Sequence, residues 1–216
     1  MTKIEAVLWD LGGVITSSPF DAFNRFEAER NIPQDFIRRL NTIYPDTNAW
    51  ARFERGDITL DEFDRAFERE SAALGHAIRG GDVIALLGGE IRPEMVDALK
   101  LCAEHLKVAC ITNNVTCSDH GPGLAQTPEQ HRAMADVLAL FDVVIESSRI
   151  GKRKPDPQIY QLACRRLNVA PPHCVYLDDL GINLKPARAM GMTTIKVTDP
   201  ATALADLGAV TGLTLA

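Results

Sequence analysis

Short apolar runs, each ending at a polar residue, alternate with amphipathic helical patterns along this chain, and that alternation limits its fold more than any other feature. Ala6-Val7-Leu8-Trp9 stops at Asp10, and Lys107-Val108-Ala109-Cys110-Ile111 stops at Thr112-Asn113-Asn114. Asp142-Val143-Val144-Ile145-Glu146 follows. His173-Cys174-Val175-Tyr176-Leu177 then precedes Asp178-Asp179, and Thr193-Thr194-Ile195-Lys196-Val197 precedes Thr198-Asp199. Such compact apolar runs suit strands covered on both faces. Helical stretches lie between them, notably Gln158 to Leu167 and Asn183 to Met190, and Ala201 to Leu213 reads as a last helix. The expected fold is α/β: a Rossmann-like, doubly wound parallel sheet with right-handed crossovers.

One stretch breaks the alternation. From Phe20 to about Leu87 there are helical patterns and no convincing strand. Phe23 and Phe26 recur at helical spacing, Pro33-Gln34-Asp35-Phe36-Ile37 starts a second helix, and Thr59 with Glu62 forms a capping-box signal for a third. Phe53, Phe63 and Phe67 are read as helix core. The expected division is a core of residues 1–16 and 88–216, with residues 17–87 as a helical insertion. Gly80-Gly81 and Gly88-Gly89 are read as the hinges where the insertion rejoins the core. Pro93 opens another helix, and Val115 to Gln126 is polar and reads as a loop.

A chain of 216 residues, 46% of them hydrophobic, can bury one core plus a modest subdomain. Its net charge of −6 argues against a nucleic-acid binder, which needs a basic face. The 5 cysteines form no CxxC pair and suit reduced, buried thiols. No apolar segment reaches the length of a membrane span, and the first residues lack the pattern of a signal peptide. The expected location is therefore cytoplasmic.

In a parallel sheet every strand's C-terminal end lies along one edge, where ligands bind. That edge would gather Asp10, Thr112 with Asn113, Lys154 from the loop after the third run, and Asp178 with Asp179. Asp10 alone could simply end a strand; the convergence of several such ends is what points to chemistry. Adjacent carboxylates raise one another's pKa, so a cation is their natural partner, and hard oxygen ligands suit Mg²⁺. Lys154 supplies a compact positive charge, and Thr112 and Asn113 supply short donors. Together these describe a phosphoryl-transfer site.

These motifs resemble those of the haloacid dehalogenase-like (HAD) hydrolase superfamily over essentially the whole chain. Asp10-Leu11-Gly12-Gly13-Val14 matches the family's first motif, Thr112-Asn113 its second, Lys154-Pro155-Asp156-Pro157 its third and Asp178-Asp179 its fourth. The helical insertion matches its C1-type cap. Within the family, Gly151 to Tyr160 and Leu177 to Arg188 look most like the N-terminal phosphatase domain of bifunctional soluble epoxide hydrolases. The resemblance implies that Asp10 is a nucleophile forming an aspartyl-phosphate. It implies that Asp10, the Gly12 carbonyl and Asp179 hold Mg²⁺, with Asp178 acting directly or through water. It implies that Thr112, Asn113 and Lys154 bind the phosphoryl oxygens of a small phosphorylated metabolite. Lys152 and Arg153 compete with Lys154, but the Lys-Pro-Asp-Pro context favours Lys154. Asn183 is expected to order the loop after Asp179.

One position departs from the pattern. Family phosphatases usually carry a second Asp two residues after the nucleophile as general acid/base, and this chain has Gly12 there. Loss of such a group typically lowers the rate roughly 10²–10⁴-fold. The expectation is thus a Mg²⁺-dependent phosphomonoesterase that is weak or selective for good leaving groups, as a monomer or homodimer. The alternatives are a 2-haloacid dehalogenase, disfavoured by the paired carboxylates at 178 and 179, and a phosphate-binding or regulatory domain. Cys117, Asp119 and His120 match no zinc spacing. The other histidines are read as solvated or ordinary packing residues.

Overall fold

The computed structural model describes residues 3–115 and 127–215. The anticipated loop from residue 116 to Gln126, with Cys117, Asp119 and His120, lies outside the described residues. In chain order the elements are β1 (Ala6–Trp9), α1 (Phe20–Glu29), α2 (Phe36–Thr42), α3 (Ala49–Glu54), α4 (Leu60–Ala72), α5 (Gly80–Ile84), α6 (Pro93–His105) and β2 (Lys107–Thr112). Then come α7 (Pro128–Leu138), β3 (Val143–Glu146), α8 (Ser147–Ile150), α9 (Pro157–Leu167), β4 (Cys174–Asp178), α10 (Gly181–Ala189), β5 (Thr193–Lys196) and α11 (Pro200–Thr211).

The strands form one parallel sheet in the order β3-β2-β1-β4-β5. The chain winds outward from β1 in one direction through β2 and β3, and in the other through β4 and β5. The reversal therefore falls beside β1, where a crevice opens beyond the strand ends. Because side chains alternate along a strand, each strand supplies both faces. Val7, Trp9, Val108, Cys110, Val175 and Leu177 join the layer under α6, α7 and α11. Ala6, Leu8, Ala109, Ile111 and Tyr176 join the layer under α9 and α10. Double coverage explains why these runs read as uninterrupted apolar stretches. Cys102, Cys110, Cys164 and Cys174 are buried free thiols, and burial pushes Cys102 up to about 12.

Helices α1–α5 enclose a third apolar cluster, separate from the two on the sheet, in which Phe23, Phe53, Phe63 and Phe67 are buried. Thr59 and Glu62 make the reciprocal capping box at the start of α4. Gly80-Gly81 differs from its expected role as a hinge, because both residues form the first turn of α5. A Cβ at Gly80 would come 2.7 Å from the Phe63 ring, so glycine is what lets α5 approach α4. The chain instead leaves and re-enters the sheet layer where Thr16 pairs with Ile91 in an antiparallel bridge and Ser17 N–H donates to the Glu90 carbonyl. Both Glu70 carboxylate oxygens accept the Ala49 N–H at the start of α3. Among the described residues no helix is long and apolar enough to cross a membrane.

Candidate active site

β1 ends at Asp10, whose N–H still donates to the Leu177 carbonyl of β4, so the sheet itself aims this residue. Asp10 Oδ1 accepts the Leu11 N–H at 2.7 Å and lies 2.7 Å from Lys154 Nζ. The backbone then folds through a tight turn over Leu11–Ile15. Gly13 sits there at φ +77°, and a Cβ on it would fall 2.4 Å from Asp179 Oδ2. A side chain at 13 would push Asp179 away from Asp10; glycine permits the approach. Arg92 Nη1 donates to the Gly13 carbonyl at 2.9 Å and braces the turn from the re-entry segment.

β4 delivers the acidic pair, and its two members differ sharply. Asp178 is fully buried, and its Oδ2 lies 2.8 Å from Lys154 Nζ. It also accepts from the Tyr176 hydroxyl, from the Leu180 N–H and from Asn183 Nδ2. Burial works against its charge, but the Lys154 ammonium and these donors outweigh it and hold its carboxyl below the usual range. Asp179 is half-buried and has no comparable set of donors. Burial, then the neighbouring Asp178 charge, push it up to about 6. Burial likewise drives Asp10 well above its ordinary value, with Lys154 opposing and Asp178 and Asp179 reinforcing the shift.

Lys154 is 1% exposed. Burial alone would lower its pKa, yet Asp10 and Asp178 keep it charged and raise it. Its backbone is gripped by Asn113, whose Oδ1 accepts the Lys154 N–H at 2.8 Å and whose Nδ2 donates to the Lys154 carbonyl at 3.1 Å. The Asn113 amide, expected as a phosphate donor, is thus engaged at both ends in placing the lysine. Thr112 is buried at the end of β2 and borders the same cavity. The competing cations point elsewhere: Lys152 pairs with Asp156 at 3.6 Å, and Arg153 with Glu54 at 2.6 Å. Asn183 does order the loop after β4, through Asp178.

The structure therefore brings Asp10, Gly12, Thr112, Asn113, Lys154, Asp178 and Asp179 to one edge. Oxygens of Asp10, Asp178 and Asp179 lie within 4.8 Å of one another, the one acidic cluster of this kind among the described residues. Three buried or half-buried carboxylates against a single ammonium leave negative charge uncompensated, and hard oxygen donors suit a divalent cation such as Mg²⁺. Lys154 already occupies Asp10 Oδ1 and Asp178 Oδ2, so the oxygens left for such an ion are Asp10 Oδ2 and the Asp179 carboxylate. Above them opens a cavity of about 1330 Å³ walled on the far side by α1–α3, including Phe20, Phe23 and Trp50. At Gly12, which borders it, an added Cβ would meet none of the described residues within 4 Å.

Sequence reasoning missed Tyr176, Arg92 and Glu54. Tyr176 had a usable signal, since it lies two residues before Asp178 and so shares its face of β4. Arg92 and Glu54 act across distant segments and carry no local signature.

A fold of this order with acids at the β1 and β4 ends belongs to a known family. The chain is a haloacid dehalogenase-like hydrolase, the description of the family model that matches residues 4–191. Mouse acyl-CoA dehydrogenase family member 10 is 34% identical over 216 residues, covering 97% of this chain and 19% of its own length. Mouse bifunctional epoxide hydrolase 2 is 32% identical, covering 97% of this chain and 39% of its own. The chain thus spans less than half of either relative. Phosphatase MT3486 of Mycobacterium tuberculosis is 32% identical over 88% of this chain and 85% of its own, so phosphatases stand among the family relatives. A HAD family enzyme of Bacteroides thetaiotaomicron, solved with magnesium and inorganic phosphate, shares the fold with a TM-score of 0.58 at 18% identity, over 89% of this chain and 93% of its own.

Proposed function

We propose that this hydrolase is a magnesium-dependent phosphomonoesterase acting through an aspartyl-phosphate on Asp10, selective for leaving groups that need little protonation. The observation that carries this reading is the pairing of a buried Asp10–Lys154–Asp178 chain with an open position at Gly12. Residues 1–16 and 88–216 form the core and 17–87 the cap in this reading. The magnesium complex of the Bacteroides enzyme and the phosphatase relative lend support at the level of the family.

Asp10, the Gly12 carbonyl and Asp179 would hold Mg²⁺, which offsets their charge and that of the phosphoryl group. Lys154 opposes the protonation of Asp10 that burial favours and orients its carboxylate, one oxygen of which attacks phosphorus. Its ammonium and the Thr112 hydroxyl face the transferring oxygens. Asn113 and Asp178 act on Lys154, one through its backbone and the other through its ammonium. In the first step the Asp10 O–P bond forms and the P–O bond to the leaving group breaks. In the second, water attacks phosphorus and the Asp10 O–P bond breaks, which restores the carboxylate, and the water's protons leave on the inorganic phosphate and to solvent. No carboxyl at residue 12 protonates the departing oxygen or takes the proton from that water, so stable leaving groups such as acyl or aryl oxides are favoured.

Phosphate release from acetyl phosphate and from ethyl phosphate, with Mg²⁺ or a chelator, tests the reading. Acetyl phosphate should be cleaved about 10²-fold faster than the alkyl ester. Activity should vanish with the chelator and in Asp10→Asn. Equal rates on both esters contradict the selectivity. Chelator-insensitive chloride release from chloroacetate would replace the reading with a dehalogenase, and phosphate binding without turnover would replace it with a binding domain.

A further inference from the structure

The cavity wall opposite Asp10 is tied to the lysine loop by a chain of contacts that the phosphoryl chemistry does not use. Trp50 of α3 lines the cavity, and its indole packs on the other side against Phe23, Phe63 and Phe67. Its Nε1–H donates to Glu54 Oε1 at 2.8 Å, while Glu54 Oε2 accepts from Arg153 Nε at 2.6 Å. Glu54 is buried, and Arg153 immediately precedes Lys154. The same junction is riveted twice more. Arg153 Nη1 donates to the Pro45 carbonyl at 2.9 Å, and the buried Ser147 hydroxyl of α8 donates to the Glu54 carbonyl.

A mostly buried Arg–carboxylate pair with a second donor on the same carboxylate holds its geometry far better than an exposed ion pair. It also spans the two layers that the cavity separates. The cavity wall on the Trp50 side carries the Phe20 and Phe23 rings beside the charged Arg38 and Glu54, whereas the end near Asp10 is charged without aromatic rings. A phosphate ester lying across it would have its phosphoryl group at Lys154 and its organic group against the indole.

We propose that Trp50 is a specificity-determining residue that reads the leaving group of the ester, and that Glu54 and Arg153 are positioning residues fixing the indole relative to Lys154. The ligand class is a phosphomonoester with a flat aromatic leaving group, and the proposal rests on the phosphatase reading above. Arg153 also borders the cavity, but on this proposal it acts on the ligand through Glu54 and the indole, so its effect should disappear once the indole N–H is gone.

Calorimetric titration with 1-naphthyl phosphate and with inorganic phosphate, both in Mg²⁺ and in an Asp10→Asn background that prevents turnover, tests this. In Arg153→Met and in Trp50→Phe the naphthyl ester should bind about fivefold more weakly, with inorganic phosphate unchanged within about twofold. The double variant should match the single ones, the non-additivity expected of residues acting as one unit. Arg153→Lys should recover most of the affinity. If Arg153→Met does not fold, judged by its melting transition, Glu54→Gln takes its place. Equal losses for both ligands, additive losses, or the Asp10→Asn protein with Trp50 and Arg153 intact binding the naphthyl ester no better than phosphate would each overturn the proposal. Naphthol release measured in parallel separates the two readings. The expected binding pattern without Asp10-dependent turnover defeats the phosphatase reading alone, and turnover with unchanged binding in every variant defeats the Trp50 assignment alone.

Discussion

Position 12 decides what this site does with a proton. The backbone there has an ordinary φ of −69°, and the space where a side chain would begin is free. The Cβ of an aspartate can therefore be added without moving the described neighbours. Gly12→Asp should raise hydrolysis of ethyl phosphate at least about tenfold, within the range a general acid supplies, while acetyl phosphate changes little. Steady-state rates on the two esters check this; a fall on both would mean that the new carboxylate competes for the cation. The adjacent Asp178 and Asp179 show how far identical residues diverge by environment. One is saturated with donors and acts as the counter-ion of Lys154, and the other keeps oxygens to spare.

At the level of elements, α2 is capped from outside its own sequence. Asp35 precedes it at φ 60° without a capping side-chain bond. The orphan N–H of Ile37 is instead taken at 2.8 Å by Glu27 Oε1, a fully buried carboxylate on α1. Its other oxygen has no hydrogen-bond partner among the described residues. Glu27→Ala leaves a buried donor unsatisfied and should lower stability by about 1–3 kcal/mol from the hydrogen bond alone. Thr59→Ala, at an exposed capping box, should cost about 1 kcal/mol. Urea unfolding of both variants checks the order; a larger loss at Thr59 would show that the Glu27 contact contributes little.

Across the whole molecule, the acidic cluster links stability to cations and protons. Asp179 is raised from 3.8 to about 6, so the folded protein binds a proton there that the unfolded chain releases. Between those values the cation-free fold gains stability as pH falls and loses it as pH rises. An ion bound to the cluster relieves the same repulsion and competes with that proton. Mg²⁺ should therefore raise the melting temperature more at pH 7.5 than at pH 5, the stabilisation at pH 7.5 being about 2.7 kcal/mol at a hundred times the Kd there. Thermal scans at the two pH values check this, and an equal or larger shift at pH 5 would contradict it.

The fold was largely legible because strands covered on both faces leave unbroken apolar runs, and their ends mark Asp10, Thr112 and Asp178 directly. The short helices α3 and α5 were not resolved as separate elements: α3 has only six residues despite its local Asn48 cap, and α5 begins with two glycines. The division of labour between Asp178 and Asp179, and the grip of Asn113 on Lys154, depend on contacts across three strands that spacing alone does not encode.

The bridge between Thr16 and Ile91 has an evolutionary corollary. Since the two strands of backbone that leave and rejoin the sheet run side by side, the polypeptide spliced between them needs only closely set ends to be accommodated. A lineage can thus exchange or remodel that inserted module, and with it the preferred ester, while the machinery that handles phosphorus is inherited intact.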